Sequence, residues 1–153
     1  MTWITDERLT AYDEKRPFSP AAAEIGRKII AIDPQNNRAR LSYEPTPDHC
    51  NPMGNVQGGF LIAMLDEAMI EAVIIATKGE YYVPTLSIEA HFFRPARLEK
   101  LIGESRILRL GRRTAFLEAD LYDASGESML VSARATVTMS SWESIRQKST
   151  QKP

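Results

Sequence analysis

The sequence predicts an α+β domain in which a curved antiparallel sheet of about six strands wraps around one long central helix. The first observation is that residues 51–79 are apolar on nearly every helical face, and a helix that is apolar all round must be enclosed. The second is that the flanking segments alternate apolar and polar residues, as strands with one buried face do. The third is the length of 153 residues, which suits a single core.

The chain before the central helix is predicted to hold an arm and two strands. Residues 1–22 form the arm, with a short polar helix at 5–15 that Pro17 and Pro20 end. Strands at 23–32 and 38–44 follow, joined by the turn sequence DPQNN. The main domain is expected to span residues 23–140 and to be followed by a polar tail, 141–153, frayed from about residue 144.

The central helix is predicted to open at about Gly58, with Asn55 as its cap. Gly79 stands at the usual C-terminal position, and Lys78 before it complements the helix dipole. The helix interior carries three carboxylates, Asp66, Glu67 and Glu71. Burying a carboxylate without compensation is costly, so these groups need an explanation.

Four strands are predicted after the helix, at 82–94, 101–110, 113–122 and 129–139. In the first of them Leu86 and Ile88 lie on one face, whereas Thr85 and Ser87 lie on the other if the alternation is regular. The last two strands alternate most regularly, with alanine, leucine, valine and methionine on one face.

The composition excludes several classes of function. There are 19 basic and 20 acidic residues, so no overall field favours nucleic acid or an anionic membrane. A single cysteine excludes an internal disulfide and a cysteine-rich metal site, and two histidines without metal-site spacing give no reason to expect a bound metal or cofactor. The start MTWITDERL lacks the apolar stretch of a secretory signal, so a cytoplasmic protein is expected.

Two features of the helix point to chemistry. Gly58 and Gly59 leave amide groups uncovered at the positive end of the helix dipole, which favours an anion or oxyanion. Asp66 lies deepest in the apolar run, whereas Glu67 and Glu71 are interpreted as a solvated or interface stripe. Gly58 and Asp66 are about 12 Å apart along the axis and about 80° apart around it. They cannot meet on one substrate within one chain, so a site using both requires a two-fold dimer.

These residues resemble a known family. Asn51, Gly54, the run Gln57-Gly58-Gly59, Leu65-Asp66, and a later strand with TLSI and FRPA are similar to the hotdog-fold acyl-CoA thioesterases, in particular the phenylacetate-pathway (PaaI-like) branch. The match runs from about residue 51 to residue 139, which is nearly the whole hotdog core.

The resemblance implies a thioester hydrolase that cleaves a small or medium acyl-CoA, aryl or aliphatic, to free acid and CoA. It implies that the Gly58 amide polarises the thioester carbonyl, that Asn51 helps to hold the site, and that Asp66 is nucleophile or general base across a dimer interface. A hydroxyl at Thr85 would orient the attacking water. It also implies further assembly into a homotetramer.

One residue departs from the family pattern. The family often has histidine where this chain has Gln57, which keeps a hydrogen-bond donor and loses a titratable group. This leaves an acyl-CoA-binding sensor without turnover as an alternative. A hotdog enoyl-CoA hydratase or dehydratase is another, although neither His49 nor His91 lies in a motif resembling theirs.

The remaining candidates concern CoA binding and a second nucleophile. Basic side chains and an exposed amide should meet the phosphates and the carbonyl of the substrate. The candidates are Gly59, Arg94, Arg97, Arg112 and Arg113. The pair His49-Cys50 suggests a cysteine nucleophile, but neighbouring side chains usually diverge, so Cys50 is interpreted as a packing residue. His91 faces the same side as Glu89 and is interpreted as a residue on the sheet surface or at an interface.

Overall fold

The computed structural model describes residues 3–5, 9 and 19–150. The elements before the central helix are α1 (Pro20–Glu24), β1 (Lys28–Asp33), β2 (Arg38–Tyr43) and a 3-10 turn (Pro47–His49). They are followed by α2 (Gly58–Ala76), β3 (Tyr81–Tyr82), β4 (Thr85–Phe92), β5 (Leu101–Leu110), β6 (Thr114–Tyr122), β7 (Met129–Thr138), β8 (Ser140–Ser141) and α3 (Trp142–Thr150).

The six longer strands form one antiparallel sheet in the order β1-β2-β5-β6-β7-β4, and β3 pairs with β8. The sheet packs one face on α2, so the predicted α+β class and the sheet around a central helix are confirmed. Leu65 and Met69 of α2 and Leu117 and Val131 of the sheet have no exposed surface. The core therefore lies between the helix and the inward side chains that the alternation predicted.

Two contacts fix the helix against the middle of the sheet. The Tyr43 hydroxyl donates a 2.6 Å hydrogen bond to the Met64 carbonyl, and the Ser105 hydroxyl donates to the Ala68 carbonyl. A Cβ at Gly103 would lie 3.0 Å from Cε2 of Tyr43, so glycine lets that ring cross strand β5. Burial raises the pKa of Tyr43 well above its usual value, and the nearby Glu67 carboxylate adds to the effect, so the phenol keeps its proton.

The two chain ends differ from the prediction. Residues 23 and 24 belong to α1 rather than to the first strand, because the Ser19 hydroxyl caps a short helix, accepting from the Ala22 amide, and Pro20 suits its first position. The tail predicted to fray from residue 144 instead forms α3. At the start of this helix the Trp142 amide donates a hydrogen bond to the Glu80 carbonyl. The predicted helix at 5–15 falls mostly outside the described residues.

Glu71 is buried, which corrects its interpretation as part of a solvated or interface stripe. Its side chain is 1% exposed, and Arg27 Nη1 lies 3.6 Å from its Oε2. Arg27 Nε also lies 3.9 Å from Oε2 of Glu67, so one guanidinium serves both carboxylates one turn apart. A buried carboxylate is tolerated where a charge partner compensates for its lost hydration.

A β-bulge in β4 reverses the predicted orientation of Thr85. The register shifts between Thr85 and Ser87, so Thr85 pairs with the fully buried Val137 and Ile88 with Ala135. The extra residue puts Thr85 on the same face as Ile88, toward the helix, instead of on the opposite face. Leu86, within the bulge, is 63% exposed.

Candidate active site

The loop that leads into α2 is folded around Asn51. Its side-chain oxygen accepts hydrogen bonds from the amides of Met53 at 3.0 Å and Asn55 at 3.2 Å. Its backbone amide donates to the Asn55 carbonyl at 2.8 Å. Asn51 is thus placed beside the helix entrance, and its carboxamide oxygen shapes the loop itself.

Gln57, and not the predicted Asn55, occupies the cap position of α2. Its side chain makes no capping hydrogen bond, and its backbone amide donates to the His49 carbonyl at 2.9 Å. The Val56 amide donates to the Ala96 carbonyl at 2.8 Å, so the helix entrance is pinned to the segment after β4. Gln57 is exposed, so its side-chain carboxamide is available to a ligand.

The first amides of α2, those of Gly58 and Gly59, bond to no acceptor among the described residues. Phe92 covers one side of this turn: its Cε1 lies 3.2 Å from where a Cβ on Gly58 would be. Nothing lies within 4 Å of the corresponding position on Gly59. The turn therefore presents unpaired N–H groups beside the ring of Phe92, a residue that is not among the predicted site residues.

Asp66 lies two turns further along α2 and is partly buried. The Thr85 hydroxyl donates to its Oδ1 at 2.6 Å. The bulge described above produces this contact, because it turns Thr85 inward. The structure therefore brings together Asp66 and Thr85, two of the predicted site residues.

Asp66 and Gly58 are at different ends of β4. Thr85, the first residue of β4, contacts Asp66, whereas Phe92, the last, lies against Gly58. Eight residues of strand span about 24 Å between their first and last Cα atoms. As the helix geometry requires, one chain does not bring these two groups onto a common substrate.

The four predicted arginines are exposed and fall into two pairs. Arg94 and Arg97 follow β4, and Arg97 forms a β-bridge with Asn55 at the Gly58 end. Arg112 and Arg113 lie in the turn between β5 and β6, where the Arg113 carbonyl accepts from the Met139 amide, at the Thr85 end. Each end of β4 thus has one basic pair nearby.

The histidines and the cysteine form no nucleophilic pair. The thiol of Cys50 is directed toward the Thr46 carbonyl, 3.9 Å away, which supports a packing role. His49 is buried, and its ring nitrogens lie within hydrogen-bond distance of Thr46 and Glu24. His91 is exposed on the sheet surface beside Glu89, as predicted.

Among the described residues, no helix has the length and apolar run needed to cross a bilayer.

The comparisons with known proteins agree with this architecture. The family model of the thioesterase superfamily matches residues 53–130. Human acyl-coenzyme A thioesterase 13 is 22% identical over 139 residues, covering 89% of this chain and 94% of the relative. The family-model match includes the start of α2 and strands β3 to β6.

Solved structures share the fold. A phenylacetic acid degradation-related protein from Ralstonia eutropha JMP134 superposes with a TM-score of 0.78 and 29% identity, covering 84% of this chain and 96% of that one. The PaaI protein of Escherichia coli superposes with a TM-score of 0.69 at 17% identity, over 86% of this chain and 90% of that one. The resemblance to the phenylacetate-pathway branch is thereby confirmed, and since the family pattern covers half of the sequence, this chain belongs to the thioesterase superfamily and is a thioester hydrolase.

Proposed function

We propose that this protein is an acyl-CoA thioesterase that works as a homodimer, with Asp66 of one subunit and the Gly58 amide of the other acting on one thioester. The observation that carries the proposal is the arrangement along β4: Asp66 contacts its first residue and Gly58 packs against its last. The name of the human relative, acyl-coenzyme A thioesterase 13, supports CoA esters as the substrate class.

The edge of the sheet supports the dimer. β4 is a terminal strand, and in the described part of the chain its outer edge pairs with no other strand. An unpaired edge with apolar side chains invites a second strand, and Phe92 is 50% exposed there. On α2, the partly exposed Ile62, Ala63 and Ile70 form an apolar stripe around Asp66.

A two-fold axis at this edge would bring Asp66 and Thr85 of one subunit together with Gly58 and Phe92 of the partner subunit. If β4 pairs antiparallel with its copy about a point between Ile88 and Glu89, Thr85 lies opposite Phe92 of the partner subunit. Asp66 then approaches Gly58 of the partner subunit, and the second site arises by symmetry. Arg112–Arg113 of one subunit and Arg94–Arg97 of the other converge on the same site, where they would meet the phosphates of CoA.

The chemistry follows from these groups. The thioester oxygen accepts from the Gly58 amide, which stabilises the charge that develops on it by about 3–4 kcal/mol. As a general base, Asp66 takes a proton from water as that water attacks the carbonyl carbon. The carbon–sulfur bond then breaks, and the CoA thiolate leaves and recovers the proton. As a nucleophile, the Asp66 carboxylate would instead attack the carbonyl carbon, and the carbon–sulfur bond would break with departure of the CoA thiolate. Water would then hydrolyse the resulting acyl-aspartyl anhydride to the free acid and the Asp66 carboxylate, and the thiolate would take up the proton released.

Gln57 and Asn51 border this site in the proposal. Gln57 retains a hydrogen-bond donor where the family pattern often has histidine, and it follows that its role is to orient the carbonyl and not to transfer a proton. The hotdog domain at 23–140 supplies all the residues invoked. Assembly of dimers into tetramers and a cytoplasmic location stay predictions.

The experiment measures free thiol release from a panel of aromatic and aliphatic acyl-CoAs by the wild type and Asp66→Asn. The second variant is Gly58→Pro, which deletes the N–H but also adds ring carbons on the side of Phe92, so Gly58→Ala, which adds the Cβ and keeps the N–H, is its control. Proline suits the first helical position, and Gln57, with φ −67° and ψ 143°, already has the backbone conformation that precedes proline. Both variants are expected to lose at least about 100-fold in kcat.

Co-expression of the two inactive variants tests the shared site. A mixed dimer combines an intact Gly58 from one chain with an intact Asp66 from the other, so it has one working site. With random pairing, half the dimers are mixed, and about 25% of wild-type activity is expected. Hydrolysis retained by Asp66→Asn contradicts the catalytic role. Absence of restored activity in mixed dimers of confirmed composition contradicts the shared site.

A further inference from the structure

We propose that His49 is a positioning residue for the oxyanion-binding turn. Its buried ring fixes the loop that precedes α2. Its backbone carbonyl accepts a hydrogen bond from the Gln57 amide and so holds the first turn of α2 in place. This inference rests on the proposed function, because it assigns a role to the Gly58 amide. The sequence pattern gives His49 no role once a nucleophilic pair with Cys50 is rejected, whereas in the structure His49 contacts the start of α2.

The side chain of His49 is 1% exposed and has partners at both ring nitrogens. The Thr46 amide donates to Nδ1 at 3.0 Å, and Nε2 lies 3.1 Å from Oε1 of Glu24. Since Nδ1 is an acceptor, the ring proton is assigned to Nε2, which donates to the Glu24 carboxylate. The ring thereby ties the 3-10 turn to α1.

The same residue also contacts the helix entrance twice. Its ring packs on the Phe60 ring, with centroids 4.4 Å apart, and Phe60 is the third residue of α2. Its carbonyl accepts from the Gln57 amide at 2.9 Å, directly before Gly58. A bridge between Cys50 and Val56 closes the loop between these contacts. A displacement of the ring would therefore displace Gln57 and Gly58.

The expected consequence is a loss in kcat. An error of about 1 Å in the placement of a group that acts in the transition state can cost about 100-fold in rate. KM should change less than kcat, because the polar partners of His49 are Thr46 and Glu24 and not the arginines proposed to hold CoA, and Arg112 and Arg113 lie at the opposite end of β4. A residue needed only for stability would not produce this separation.

The test compares two substitutions of His49 and two controls. His49→Phe keeps an aromatic ring on Phe60 but removes the acceptor for Thr46. His49→Asn restores an acceptor near the position of Nδ1. Lys28→Gln changes an exposed side chain on β1, at the edge of the sheet opposite β4. Ile29→Ala removes a buried side chain from β1, away from β4 in the sheet, and serves as a control for lost stability.

We expect His49→Phe to lower kcat about tenfold or more with KM within about twofold, and His49→Asn to recover most of kcat. Hydrogen–deuterium exchange of the unliganded protein over residues 50–60 should be faster in His49→Phe and return toward wild type in His49→Asn. Neither control variant should combine a lower kcat at nearly constant KM with faster exchange over residues 50–60.

Hydrogen–deuterium exchange that is unchanged in His49→Phe overturns the inference. Faster exchange in His49→Phe with full kcat also overturns it, and so does a loss of kcat in Ile29→Ala equal to that in His49→Phe. A wild type that releases no thiol contradicts the proposed function instead, and the exchange measurement then still decides whether His49 holds the turn.

Discussion

The Thr85 hydroxyl donates a 2.6 Å hydrogen bond to Oδ1 of Asp66, which joins the edge strand β4 to the central helix. This bond orients the carboxylate and engages Oδ1, so Oδ2 is the oxygen that would act in the proposed reaction. It exists because the bulge in β4 turns Thr85 toward the helix.

Replacing Thr85 tests the importance of that bond. Thr85→Val keeps the shape of the side chain and removes the donor, and we expect kcat to fall about tenfold to 100-fold, since a hydrogen bond to a charged group contributes about 1.5–3 kcal/mol. Thr85→Ser should retain most of the activity. Thr136→Val, on β7, is the matched control and should leave kcat unchanged. Full activity in Thr85→Val would mean that Asp66 needs no support from this hydroxyl.

The exposed arginines are expected to act on binding and not on the chemical step. Arg97→Gln and Arg113→Gln should each raise KM for an acyl-CoA about tenfold at low salt, with kcat unchanged, because each removes one charge-assisted hydrogen bond to a phosphate. The effect should shrink as the salt concentration rises. Lys28→Gln, which removes an exposed cation from β1 at the opposite edge of the sheet, is the control. Equal KM values for all three variants would remove these arginines from the site.

Replacing Gly59 should affect folding stability and substrate turnover in opposite directions. Since nothing lies within 4 Å of its Cβ position, Gly59→Ala should stabilise the helix by about 0.5–1 kcal/mol, or about 1–4 °C in Tm. The added methyl group would extend into the space proposed for the thioester, so kcat/KM should fall in the same variant. A more stable variant with full kcat/KM would place the substrate away from this turn.

The sequence predicted the parts of the fold that depend on regular patterns. The helix start at Gly58 followed from the apolar run and its glycines, and strand β5 has the predicted bounds, Leu101–Leu110. Alternation also identified the buried face of β7, including Val131 and Val137. Each of these features depends on residues close together in the chain.

The features that were missed depend on contacts between distant segments. Regular alternation contains no sign of the extra residue in β4, so Thr85 was assigned to the wrong face. The pattern of acids on α2 does not reveal that Arg27 from another segment compensates Glu71. Phe92 and Gly58 are far apart in sequence, so their contact could not be inferred from spacing.

Glu118, on the outer face of the sheet, should make stability depend on acid pH. It lies between Arg106 and Arg134 on the neighbouring strands, and Arg134 Nε donates to its Oε1 at 3.1 Å. The hydrogen bond from Arg106 is the main reason why the pKa of Glu118 is below its usual value, and the hydrogen bond from Arg134 lowers it further. The folded state therefore favours the ionised carboxylate.

The sign of the effect follows from linkage. A carboxylate whose pKa is lower in the folded protein adds stability above its unfolded pKa of about 4.3, and that contribution declines as the pH falls through the folded pKa. At pH 7, Glu118→Gln should lower the free energy of unfolding by about 1–2 kcal/mol, a modest value because both arginines are largely exposed. Urea unfolding at several pH values between 7 and 3 should show the difference from wild type shrinking below about pH 4. Asp120→Asn, on the same strand and face, is the control, and a difference for Glu118→Gln that stays constant down to pH 3 would exclude charge as its source.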